Sequence, residues 1–176
     1  MTIHQIQIRH DELEDRLLLR ISTIDACEYR FWLTRRFTRQ LWALLLKMLE
    51  WDRAVQGQVD PATRNTVLQI QHEGYAQQGD FSRQFEEHAQ RTPLGENPVL
   101  LFQAKGTRRD NGLQVLSLHP RQGQGLDMTL DTRLLHIFAK LVRDAAAQPD
   151  WDINLALHEE AAPATPGEAA PVRKLN

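Results

Sequence analysis

Apolar and polar residues alternate in three short runs near the start of the chain. Ile6 and Ile8 mark the first, the charged turn DELED follows, and Leu17, Leu19 and Ile21 mark the second. After the turn STIDAC, Tyr29, Phe31 and Leu33 mark the third, so the pattern predicts a three-stranded meander. At Thr34 the period changes. Phe37, Leu41, Leu44, Leu45 and Met48 recur at helical spacing, with Thr34 placed as the N-cap. The stretch EYRFWLTRRFTRQLW, Glu28 to Trp42, therefore straddles a strand-to-helix junction.

Residues 54–96 are rich in Gln and other polar side chains and read as a helical connector. Asp60 before Pro61 is a helix start, with Val67 and Ile70 as a thin apolar edge, and DFSRQFEEHAQ predicts a short helix around Phe81 and Phe85. TPLGENP then breaks the chain before VLLFQAK, GLQVLSLHP and GLDMTLD, a second run of strands. A helix is expected from Thr132 to about Ala147, and the alternation of Trp151, Ile153, Leu155 and Leu157 predicts a last strand. Residues 158–176, HEEAAPATPGEAAPVRKLN, have little to bury and are expected to be a disordered tail.

The two runs match at a shift of 97 residues without a gap. Leu19 falls on Leu116, Phe31 on Met128, Leu33 on Leu130 and Leu45 on Val142, and the caps Thr34 and Asp131 coincide. The expected fold is thus α+β, with two strand-strand-strand-helix repeats (1–53 and 97–157) built on antiparallel sheets, joined by the connector and related by a pseudo-twofold axis. Low identity leaves open two independent units of similar spacing.

Composition narrows the functions. Lys and Arg number 21 against 23 Asp and Glu, giving a formal charge of −2, so a polyanion would need a local patch. Cys27 is the single cysteine, which removes an internal disulfide and a cysteine-based zinc cluster and fits a reducing compartment. The N-terminus lacks the features of a signal peptide, and LWALLLKML is too short for a membrane span. The expectation is a cytoplasmic protein with no membrane contact.

The candidate chemistry lies at the junction. Arg30, Arg35, Arg36 and Arg39 stand among aromatic rings, a composition that suits phosphate contacts and base stacking. Strand parity puts Arg30 and Trp32 on the face opposite Phe31, with Arg20 as a neighbour. The competing view makes Arg20 and Arg30 solvated residues balanced by Glu28, with Trp32 packed under the connector. No GxGxxG, P-loop, HExxH, GxSxG or CxxC occurs, the seven histidines are scattered, and no pattern implies a cofactor or metal. Trp42, Leu46 and Leu49 widen the first helix's apolar stripe, which needs the connector, the other helix or a second copy to cover it.

The run Asp15 to Trp42 resembles a group of short bacterial proteins with a WLTRR-like strand-to-helix junction, here Trp32 to Arg36, a resemblance that implies no activity or site. In architecture, two sheet-then-helix repeats look like the Whirly and Pur-type single-strand nucleic-acid binders, although those have four strands before each helix. The sequence is therefore read as a non-enzymatic module that binds a protein partner or its own copy. The alternative is single-stranded nucleic-acid binding through Arg20, Arg30, Trp32, Arg35, Arg36 and Arg39. A third is an enzyme acting on a small molecule held between the repeats, for which Asp127 and His119 in a cleft would be the sign.

Overall fold

A computed structural model describes residues 2–79, 85–86 and 89–157 of the chain. Strands β1 (Ile3–Asp11), β2 (Arg16–Thr23) and β3 (Glu28–Leu33) lead into helix α1 (Arg35–Glu50); a short α2 (Arg53–Gln56) and a long α3 (Pro61–Gln77) follow. The second half contains β4 (Val99–Arg108), β5 (Gln114–Pro120), β6 (Leu126–Leu130) and α4 (Thr132–Ala146). The strands lie in sequence order in one six-stranded sheet. Each half is antiparallel inside, as expected, but the halves join through a parallel β3–β4 seam of two residue pairs, Phe31 with Val99 and Trp32 with Leu100. The sheet is mixed.

The pairing within the halves follows the same numbers. Leu19 faces Phe31, Ile21 faces Tyr29 and Leu17 faces Leu33 between β2 and β3; 97 residues on, Leu116 faces Met128, Leu118 faces Leu126 and Gln114 faces Leu130 between β5 and β6. The first hairpins differ by one position, with Ile8 opposite Leu19 but Gly106 opposite Leu116. The reason is loop length: Asp11 pairs with Arg16, whereas Arg108 pairs with Gln114, one residue farther on. Both helices start as the sequence predicts, with Thr34 Oγ1 accepting from the Phe37 N–H at 3.2 Å and Asp131 Oδ1 accepting from the Leu134 N–H at 2.7 Å.

The helices are exchanged between the halves. α1 packs on β4, and α4 packs on β1, while the two helices also meet each other. Gly106 makes the first contact possible: a Cβ there would sit 2.8 Å from Met48 Sδ and 3.3 Å from Leu44 Cδ1. On the other side Leu134, Ile137 and Leu141 of α4 line a groove with Ile3, Ile6 and Ile8 of β1. One core results, containing Leu19, Phe31, Leu41, Met48, Leu116, Met128 and Phe138, all fully buried.

Two expectations need correction. Residues 151–157 form no strand, although Trp151 and Leu155 are buried as the alternation implied. Alternation reports which side chains are covered, and here the cover is packing without a ladder: Trp42 Nε1 donates to the Ala156 carbonyl at 3.0 Å, and Trp151 Nε1 donates to Asp15 at 2.7 Å. That segment and α4 close the wide stripe of α1 from within the chain, leaving Trp42 and Leu49 buried. On α3, Ile70 is 64% exposed, and the inward face is instead Leu68 and His72. The helix expected around Phe81 falls mostly outside the described residues, with Phe85 and Glu86 in irregular backbone; the tail from 158 onward lies wholly outside them.

Candidate functional site

Arg20 and Arg30 stand directly opposite each other on β2 and β3, on the face that the helices leave uncovered. Two like charges in that position repel, so the arrangement needs an anion. Glu28 supplies it. Its carboxylate accepts from Arg20 Nε at 2.7 Å and from Arg30 Nε at 2.8 Å, and its side chain is 1% exposed. Burial pushes the Glu28 carboxyl up, but the hydrogen bonds and charges of Arg30 and Arg20 outweigh that and hold it below the usual glutamate range. Arg30 also donates to the Glu96 carbonyl at 3.2 Å, and the Arg20 guanidinium lies 4.2 Å from the centre of the Phe85 ring. Both guanidiniums thus have structural partners.

The neighbouring cross-strand row is apolar. Leu18 faces Trp32, and Trp32 faces Leu100 across the seam, while Arg9 of β1 ends the row opposite Leu18. Trp32 is half-buried, and Leu100 is 46% exposed. Phe102 extends this strip by alternation, two residues beyond Leu100 on the same face of β4, just before the register shifts at Gln103. With Leu101 buried on the core side, its neighbour Phe102 points outward, 63% exposed and 5.8 Å from the Arg121 guanidinium. Leu100 and Phe102 were not singled out in the sequence, since VLLFQAK, apolar on both faces at its start, does not show which face the helices cover.

Arg35, Arg36 and Arg39 are exposed on α1, which packs on the opposite side of the sheet. No acidic residue occupies the first turn of α1. The six predicted residues therefore fall into two groups, one on the sheet face with Trp32 and one on the helix.

His119 and Asp127 do come together, with Nε2 and Oδ1 3.7 Å apart, and they line a cavity of about 430 Å³ with Tyr29, Leu94 and Gly125. Both side chains are largely in solvent, so the pair offers proton exchange without exclusion of water. Burial raises the Tyr29 phenol above its ordinary value. Cys27 is buried, its thiol 3.4 Å from an Asp25 carboxylate oxygen.

A second polar cluster is sealed between α3 and α4. His72 Nδ1 lies 3.3 Å from His136 Nδ1, and both residues are buried. Neither Nε2 has a hydrogen-bond partner, and Tyr75 stacks on His136 with ring centres 5.2 Å apart. Beside them the Asp52 carboxylate accepts from the Thr132 hydroxyl at 3.1 Å, Gln71 Nε2 at 3.3 Å and the Ala54 N–H at 2.9 Å. Burial pushes Asp52 up, and these bonds, with His136 nearby, bring it below the ordinary aspartate value. Sequence spacing hid the pair because the two histidines are 64 positions apart on different helices. Among the described residues no three His, Cys, Asp or Glu side chains gather to hold a metal ion, and no helix is long and apolar enough to cross a membrane.

No protein-family model matches the chain, and no curated protein or solved structure is significantly similar to it.

Proposed function

We propose that the protein is a non-enzymatic interaction module whose binding surface is the helix-free face of the sheet. The observation that carries this reading is the strip of Trp32, Leu100 and Phe102, with two large apolar side chains in solvent at the seam between the halves. A protein partner fits it better than a polyanion, because the central arginines are already engaged by the Glu28 carboxylate. Single-stranded nucleic acid is the second reading, favoured by the exposed Arg35, Arg36 and Arg39 and by the Arg121–Phe102 stack. In both, the shared strand register at 97 residues and the reciprocal helix exchange support a duplicated sheet-helix unit about a pseudo-twofold axis.

A photo-crosslinking residue at position 102 tests the reading, with one at Ile70 on exposed α3 as the control. Adducts with a protein, or with a second copy, at 102 and not at 70 are the expected outcome. Binding of an oligonucleotide that weakens with salt and disappears in an Arg35→Gln/Arg36→Gln/Arg39→Gln variant, without adducts at 102, would replace it with the nucleic-acid reading.

A further inference from the structure

α3 is held to the molecule by a narrow strip. Only Leu68 and His72 are buried among its 17 residues. Leu68 joins the apolar core, and His72 contributes a polar contact, the one to His136 on α4. Two neutral imidazoles can satisfy that contact only if one Nδ1 carries a proton and the other accepts it. The accepting ring must then carry its own proton on Nε2, which has no partner. Whichever ring donates, one buried N–H is left without an acceptor.

Added protons destabilise the buried pair, although the first strengthens the Nδ1 hydrogen bond itself. The first brings a charge and a second orphaned N–H into the buried site; the second sets one Nδ1–H against the other. The surroundings give little relief. Lys140 and Arg143 of α4 disfavour charge on His72, while Asp144 of α4, with which both are paired, and Glu73 of α3 favour it. Facing His136, Asp52 alone favours the cation, and its carboxylate is already engaged by three donors.

We propose that the His72–His136 contact is a proton-released latch, which holds α3 against α4 when neutral and frees α3, uncovering the surface around Val55 and α4, when the pair is protonated. Burial pushes both imidazoles down from 6.5 to about 4, so the docked helix resists protonation that the free helix accepts. The released state binds more protons between those values, and docking is therefore complete above pH 6.5 and lost as pH falls toward 4. From one histidine alone, undocking becomes roughly 50-fold more favourable between pH 7 and pH 4.5.

Hydrogen exchange of the full chain at the two pH values, corrected for intrinsic rates, reads this directly. Amides of α3 should lose protection by roughly 50-fold or more relative to those of α1 and β2, and His72→Leu/His136→Phe should abolish the difference. Equal loss in α3 and α1, or an unchanged acid response in the double variant, overturns the proposal. Should that variant not fold, NMR titration of the unaltered protein decides. Two histidines titrating well below 6.5, with α3 signals moving alongside them, support the latch, and ordinary midpoints or unmoved α3 signals refute it.

Discussion

Glu28 shows how one side chain decides what its neighbours can do. It makes two opposed arginines tolerable at the price of burying a carboxylate, and removing its charge leaves Arg20 and Arg30 facing each other in a desolvated setting. Glu28→Gln should cost on the order of 3 kcal/mol in urea unfolding. Because its folded pKa is depressed, the Glu28 contribution is present above about pH 4.5 and is lost as pH falls through the folded value, so it belongs to a more acid window than the histidine latch. Phe31, fully buried at the seam, should cost on the order of 3 to 5 kcal/mol when truncated to Ala. Arg35 and Arg36 behave oppositely. They are exposed in the first turn of α1, where positive charge opposes the helix dipole, and an Arg35→Gln/Arg36→Gln variant should melt at the same temperature or slightly higher. Unfolding of that variant would mean that both arginines serve as structural ion-pair members.

Local rules fixed the elements, and exchange between elements decided the rest. Capping oxygens at Thr34, Asp60 and Asp131, and period-2 burial in β5, β6 and the second half of β3, could be read along the chain because each depends on neighbours a few residues away. The β4 bulge, the seam and the histidine pair depend on residues far apart in sequence, and nothing in VLLFQAK or around His72 announces them. The same limit explains the last strand. Trp151 and Leu155 alternate with polar residues, yet their cover comes from the α1 side and the first hairpin, and no strand edge is paired there. Of the candidate site, Trp32 and the arginines were visible, whereas Leu100 and Phe102 emerged only with the register. Gly106 offers a direct measure of the α1–β4 contact. Gly106→Val should displace Met48 and cost about 1–3 kcal/mol, and Met48→Ala in the same background should recover part of the loss, as a double-mutant cycle would show.

At the scale of the whole molecule, each half lends its helix to the other. A fragment ending near residue 58 contains β1, β2, β3 and α1 but neither β4, on which α1 rests, nor α4, which covers β1. Such a fragment should give the poorly dispersed amide spectrum of an unfolded chain, and adding the complementary fragment should restore dispersion. A well-dispersed spectrum from the first fragment alone would show that the exchange is dispensable. Reciprocal exchange also sets a schedule for synthesis. α1 is finished at Glu50, while the strand it packs on ends at Arg108. At bacterial and eukaryotic elongation speeds that interval is roughly 3 to 12 s. For that time the stripe of Phe37, Leu41 and Leu45 leaves the ribosome ahead of its cover, an apolar helix face that stays in water until β4 follows.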